Sequence, residues 1–207
     1  MELLHLVATP RTGHSNTLRI SNAFIEALIG KYPDLTITTM DLFHHDVPAM
    51  AGDKIEAKYL LMQGSAIKPS MTTTWTEIEG YIAGFMRADM YLISAPMWNL
   101  GIPFTLKYYI DTIVQPGYLF KYLPDGTPVG LAKGKMVIVK TSGGDYSAPP
   151  MNQFDFHEPY LKGIFGFCGI RDIHVIRAGL MDVNPDLREK SLCHAIEEQI
   201  PAVLKHL

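Results

Sequence analysis

The sequence predicts a three-layer α/β fold, a five-stranded parallel sheet covered by helices on both faces. Two observations carry that expectation. Short apolar runs of strand length alternate along the chain with longer segments of helical periodicity. Several runs also end in turns that lead directly into a helix, as parallel crossovers require. A chain of 207 residues with 47% hydrophobic and 19% charged residues fits one domain, residues 1–207, with a substantial core.

Leu3 to Ala8 reads as the first strand and Asn16 to Tyr32 as a helix, with Leu18, Ala23, Phe24, Ala27 and Leu28 along one face. Leu35 to Leu42 is the second strand, closed by a turn at His44-His45-Asp46. Residues 46–74 are irregular apart from a weak helical patch at Ile55 to Met62. A helix then opens at Thr74, where Thr74 and Glu77 have capping-box spacing, and its apolar face is Ile78, Tyr81, Ile82 and Phe85. Met90 to Ser94 is the third strand and Pro103 to Val114 the next helix. Gln115 to Gly134 carries alternating aromatics and a Pro124-Asp125-Gly126 turn, which predicts a hairpin excursion covering a pocket. Met136 to Lys140 is the fourth strand, Pro159 to Cys168 a helix, Ile173 to Arg177 the fifth strand, and Pro185 to His206 the closing helix.

Composition narrows the function classes. A net charge of −3 and a pI near 6.2 give no basic face for nucleic acid. Cys168 and Cys193 have neither CxxC spacing nor a histidine at metal-ligand spacing, so neither a disulfide framework nor a metal site is expected. The first residues lack a basic segment and a long apolar run, and nothing approaches the roughly 18 apolar residues of a membrane span. The expectation is a cytoplasmic protein.

Three strand ends carry unusual turns. After the first strand comes Thr9-Pro10-Arg11-Thr12-Gly13-His14-Ser15-Asn16-Thr17, rich in hydroxyls where a helix begins. Free N–H groups and the positive dipole end suit a phosphate there, and Thr9, Ser15 and Thr17 add uncharged donors. Ser15 also reads as a plain N-cap. The segment is neither a nucleotide-triphosphate loop nor a dinucleotide fingerprint. After the third strand comes Met97-Trp98-Asn99-Leu100, apolar and aromatic with one amide, which suits a flat conjugated ring. After the fourth comes Thr141-Ser142-Gly143-Gly144, whose glycines admit close approach of backbone to a ligand, although Gly-Gly is also an ordinary loop. Together the three describe a phosphorylated ring cofactor lying across the carboxyl edge of a flavodoxin-like sheet of order 2-1-3-4-5.

On these residues the chain resembles the FMN-dependent NADH-azoreductases, also described as NADH:quinone oxidoreductases. The resemblance extends through Ala95-Pro96-Met97-Trp98-Asn99, Ile102-Pro103, Leu106-Lys107, Asp111, Gly117, Phe120-Lys121-Tyr122, Gly130-Leu131, Gly134-Lys135, Thr141-Ser142-Gly143-Gly144, Pro159-Tyr160-Leu161, Gly166-Phe167 and Gly169-Ile170. It implies an FMN phosphate on Thr9, Ser15, Asn16 and Thr17, and a ring held by Met97, Trp98, Asn99, Leu100, Thr141, Ser142, Gly143 and Gly144. Thr9 and Thr17 stand where the family usually has serine and keep the hydroxyl. Leu100 stands where many members have an aromatic, and Ser142 where they have arginine. Tyr122 and Phe167 correspond to aromatics on the substrate side, one of them from the partner of a homodimer.

The activity implied is a two-step exchange in which NADH reduces FMN and a quinone or azo compound then takes two electrons. Backbone N–H groups near Asn99, Gly143 and Gly144 would stabilise negative charge on the reduced ring. No side chain is identified as a general acid or base; His14, His44, His45 and His157 read as solvated or capping residues. The alternative is a non-enzymatic, flavodoxin-type electron carrier. Carriers favour strongly acidic docking surfaces, and −3 is mild. NADH and NADPH are not distinguished by any motif.

Overall fold

The computed structural model describes residues 1–11 and 13–207. The first half of the chain runs β1 (Glu2–Val7), α1 (Asn16–Lys31), β2 (Thr36–Asp41), α2 (Asp53–Met62), α3 (Thr72–Arg87), β3 (Met90–Pro96) and α4 (Phe104–Ile113). The second half runs β4 (Phe120–Tyr122), β5 (Pro128–Gly130), β6 (Lys135–Thr141), α5 (Glu158–Phe167), β7 (Asp172–Ala178), α6 (Pro185–His194) and α7 (Ile200–Leu204). The main sheet has the order β2-β1-β3-β6-β7 and every pairing in it is parallel. Leaving out the β4–β5 hairpin, that is the predicted 2-1-3-4-5.

Period-two alternation decides which helices cover which face. Leu4, Leu6, Tyr91, Ile93, Met136 and Ile138 face Trp75, Ile78, Ile82 and Phe85 of α3, Leu106 and Ile110 of α4, and Leu161 and Phe165 of α5. Leu3, Met90, Leu92, Val137, Val139 and Ile176 face Ile20, Phe24 and Leu28 of α1 and Leu192, Ile200 and Val203 at the C-terminal end. β3 is central and buried along nearly its whole length, as a strand covered on both faces must be. β7 is an edge, and the Gln199 side chain closes it by accepting from Arg177 N–H and donating to Arg177 O.

The structure corrects two expectations about helices. The α3 helix begins at Thr72, directly after a 3-10 turn at Pro69–Met71, and its N-cap is Met71 without a side-chain bond, so Thr74 and Glu77 form no capping box. Burial of Met71 and Trp75, at 3% and 1% exposure, draws the segment inward earlier than the pattern starting at Ile78 suggests. The closing helix is interrupted by a π turn at Ala195–Gln199. Pro201, the second residue of α7, has no N–H to return to the preceding turn, which accounts for the break. The apolar run at Ile164 to Cys168 is mostly core: Phe165 and Cys168 are fully buried and only Phe167 is left exposed.

The predicted hairpin forms as β4–β5, with Leu123 N–H bonded to Thr127 O and Asp125 accepting from Thr127 N–H. It does not cover the carboxyl edge. α4 leaves that edge and runs back along the sheet, so residues 114–134, which lead into the start of β6, lie at the amino edge.

Phe85 stacks on Tyr91 at 4.4 Å and on Phe165 at 5.8 Å, with no exposed surface. Phe85→Ala is expected to cost about 3–5 kcal/mol. Urea unfolding should show this as a lower midpoint at unchanged slope.

Candidate functional site

Because β1, β3, β6 and β7 are neighbours and parallel, their carboxyl ends deliver four loops to one place. There they line a narrow cleft of about 150 Å³ formed by Thr9, Arg11, Ser15, Asn16 and Thr17 from the first loop, Pro96, Met97 and Trp98 from the second, Thr141, Ser142 and Gly143 from the third, and Met181 and Asp182 from the fourth. At the α1 end the cleft opens onto a polar basin of about 760 Å³ containing Arg11, Arg19 and Arg188. Beyond Trp98 lies an apolar hollow of about 610 Å³ with Asn99, Ile102, Phe104, Tyr108, Phe156 and Tyr160.

Ser15 is the N-cap of α1, and its Oγ accepts from Leu18 N–H at 3.3 Å. Its backbone carbonyl accepts from Arg19 N–H at 3.0 Å. The N–H groups of Asn16 and Thr17 therefore remain without a protein acceptor among the described residues, as the first turn of a helix leaves them. No acidic residue stands in that turn to neutralise the dipole. The donor set suits a phosphate, and Ser15 can cap the helix while its own proton stays available. The Thr17 hydroxyl, expected to face a ligand, instead bonds the Thr141 hydroxyl at 2.7 Å and ties α1 to the end of β6. Thr12 lies outside the described residues.

The ring segment is a tight reversal. Trp98 N–H bonds Gly101 O at 3.0 Å, Gly101 N–H bonds Trp98 O at 2.9 Å, and Asn99 and Leu100 have φ of 47° and 70°. Two successive positive φ values define a primed turn, a conformation that costs a leucine about 1–2 kcal/mol. The turn is anchored by Met97 N–H on Thr141 O at 2.7 Å and Phe156 N–H on Leu100 O at 3.0 Å. Trp98 lines both cleft and hollow and Asn99 only the hollow, while Leu100 lines neither and serves through its backbone. Phe43, unnoticed in the sequence, meets Trp98 edge-on at 5.7 Å and Phe104 at 5.6 Å.

Behind Gly143 and Gly144 a second loop completes the wall. Met181, Asp182 and Leu180 donate their N–H groups to the carbonyls of Ser142, Gly143 and Gly144. The N–H groups of the two glycines have no protein acceptor among the described residues. A Cβ on Gly143 would collide with the Asp182 carboxylate, so any other residue there would push that side chain aside. A Cβ on Gly144 would meet Tyr146 at an ordinary 3.6 Å, and Gly144 does not line the cleft. Met181 and Asp182 follow the fifth strand, after Gly179-Leu180, a stretch with no run of hydroxyls, aromatics or paired glycines to mark it.

Tyr122 and Phe167 are brought together, each against Phe120 at 5.6 and 4.8 Å, but at the amino edge of the sheet. Neither lines the cleft or the hollow of its own chain.

His157 is not solvated. It is fully buried, Nε2–H donates to Ala95 O at 3.1 Å, and Nδ1 has no partner among the described residues. Beside it Lys140 and Asp155 form an ion pair with side chains 5% and 13% exposed. Burial, and then the Lys140 cation, push His157 down to about 4. Burial alone does the same to His5. His44, by contrast, lies exposed on Asp41 at 2.9 Å.

Both buried histidines titrate near 6.5 when unfolded. Their stabilisation is complete above that pH, declines as the pH falls through it, and is lost by about pH 4, at roughly 3 kcal/mol each. Urea midpoints should therefore fall steadily between pH 7 and pH 4.5; a flat profile over that range would contradict the burial of neutral histidine.

A family model described as a flavodoxin-like fold matches residues 1–200. The FMN-dependent NADH:quinone oxidoreductase of Nitratidesulfovibrio vulgaris is 34% identical over 199 residues, 95% of each chain. That of Ruegeria pomeroyi is 37% identical over 178 residues, covering 85% of this chain and 87% of the relative. An FMN-dependent NADH-azoreductase from Bacillus anthracis, solved in complex with FMN, superposes with a TM-score of 0.87 at 26% identity, covering 99% of this chain and 98% of that one.

Proposed function

The chain belongs to the FMN-dependent NADH:quinone oxidoreductases of the flavodoxin-like fold family, and on that premise we propose that it is an FMN-dependent NAD(P)H oxidoreductase reducing quinones and azo compounds. The observation that carries the reading is one cleft combining a helix N-terminus with no acidic residue in its first turn, an aromatic reversal and the Gly143 N–H, which has no protein acceptor among the described residues. The whole of residues 1–207 acts as one FMN-binding domain.

Asn16 and Thr17 N–H, with the Ser15 hydroxyl, would hold the phosphate, and Arg11 at the lip would add positive charge. Met97 and Trp98 on one side and Thr141 to Gly143 on the other would hold the ring. When bound, FMN supplies the two-electron exchange between NAD(P)H and the acceptor. The protein positions both partners and offers the Gly143 N–H group to developing negative charge. Neither His5 nor His157 exchanges protons with a substrate, since each is buried and hydrogen-bonded within the fold. The free thiols of Cys168 and Cys193 fit the reducing cytoplasm, where we place the enzyme.

The positions of the aromatics support a homodimer. Trp98, Phe104 and Phe156 surround the hollow at 36%, 68% and 59% exposure, an apolar surface large for a monomer to leave wet. Tyr122 and Phe167 sit too far away, at the opposite edge, to cover their own chain's cleft. A second copy related by a two-fold axis would bring them over it.

The purified protein should be yellow and be bleached by NADH without oxygen, taking electrons in pairs with no one-electron species accumulating; a stable radical would favour the electron carrier. A Ser15→Ala, Thr17→Ala double variant should bind FMN more weakly by about 1–3 kcal/mol. Equal affinity by fluorescence titration would remove the phosphate from this turn. Light scattering should report a dimer, and Phe167→Ala should raise the KM for quinone; a fully active monomer would overturn the dimer.

A further inference from the structure

On the α1 face of the sheet, where β1 and β3 otherwise carry Leu3, Met90 and Leu92, two strand positions are polar and buried. His5 is 3% exposed and Ser94 not at all. Polar groups are kept in such places at a cost unless bonded. His5 Nε2 contacts Ser94 Oγ at 2.7 Å, and Ser94 Oγ contacts Ser21 Oγ at 2.6 Å. Ser21 Oγ donates to the Thr17 carbonyl at 3.0 Å.

Proton counting fixes the direction of every bond. A hydroxyl owns one proton. That of Ser21 lies on Thr17 O, so Ser94 must donate to Ser21. The proton of Ser94 is then used, so His5 must donate to Ser94 as the Nε2–H tautomer. The chain does not stop at Thr17. The peptide unit that accepts at Thr17 O donates through Leu18 N–H to Ser15 Oγ at 3.3 Å. An amide whose oxygen accepts a hydrogen bond has a more strongly donating N–H, so polarisation passes along such chains. Ser15 Oγ is at the end. Among the described residues its own proton meets Thr9 Oγ1 at 3.4 Å, longer than a good hydroxyl bond.

We propose that His5, Ser94 and Ser21 are positioning residues: they form a one-way relay that orients and polarises the Ser15 hydroxyl toward an anionic phosphate in the cleft. The inference rests on the FMN reading. It assigns a ligand-directed role to three residues that never touch the ligand. It also explains why the face that packs α1 to the sheet is polar just behind the helix N-terminus.

The test compares FMN with riboflavin, which has the same ring and no phosphate, by fluorescence titration of flavin-free protein. In wild type FMN should bind at least 100-fold more tightly than riboflavin. Ser21→Ala and Ser94→Ala should each weaken FMN about five- to tenfold and leave riboflavin within twofold. His5→Gln, which keeps a donating N–H, should preserve the ratio, whereas His5→Leu should lower it. Thermal melting of each flavin-free variant checks folding. FMN binding with an unchanged ratio in Ser21→Ala and Ser94→Ala overturns the relay alone, as does equal weakening of both flavins, which marks a purely structural role. Wild type that binds neither flavin overturns the FMN reading and the relay together.

Discussion

Every strand of the main sheet runs in one direction, and the cleft depends on that constraint. Parallel pairing of β1, β3, β6 and β7 sends four consecutive carboxyl ends to the same edge. Each end must then turn into a connection toward the opposite edge. The loops are therefore crowded together without any attraction between them being needed. What does join them is a small number of specific bonds. Met97 N–H to Thr141 O and Ser142 N–H to Ala178 O link neighbouring strand ends, and the Thr17 to Thr141 hydroxyl bond reaches across β3 from the start of α1 to the end of β6.

The edge combines strain with polar satisfaction. Asn99 and Leu100 are held at positive φ, a conformation tolerated because the surrounding bonds over-determine the turn. The carbonyls of Ser142 to Gly144 are consumed by the loop after β7, while the N–H groups of the glycines meet no acceptor among the described residues. The backbone of this wall, with its carbonyls used and its donors free, is suited to negative charge, and the Asp182 carboxylate stands behind it at Gly143. Beneath it the ion pair of Lys140 and Asp155 and the neutral ring of His157 are buried, holding the loop after β6 against Ala95. A buried pair of this kind is weak evidence for net stability, but breaking one partner leaves an uncompensated charge.

Distance along the sheet separates the two aromatic groups of this protein. Phe43, Trp98, Phe104 and Phe156 cluster at the carboxyl edge, and Phe120, Tyr122 and Phe167 at the amino edge. Within one chain the second group cannot serve the first. Any joint use of the two belongs to an assembly of copies, where an exposed apolar surface on each becomes a buried one.

Much of this was legible in the residues. Apolar runs and helical faces determined the strands, their alternation with helices and the layered class, because burial imposes periods of 2 and 3.6 on any chain. Hydroxyls at Thr9, Ser15 and Thr17 marked the helix N-terminus, since a cap is a local interaction spanning three residues. Thr17 pointing to Thr141, Asp182 behind Gly143 and His157 beneath Ala95 were beyond reach of the sequence. Each joins groups far apart along the chain, 124 residues in the case of the two threonines. The same holds for the hairpin at Gln115 to Gly134: its turn is local and was readable, but the edge it occupies depends on the length and direction of α4. Periodicity and capping are set by neighbours in the chain and so are written in it. Which side chains meet across strands, and which face remains uncovered, is decided only when the sheet is assembled, because those contacts exist nowhere else.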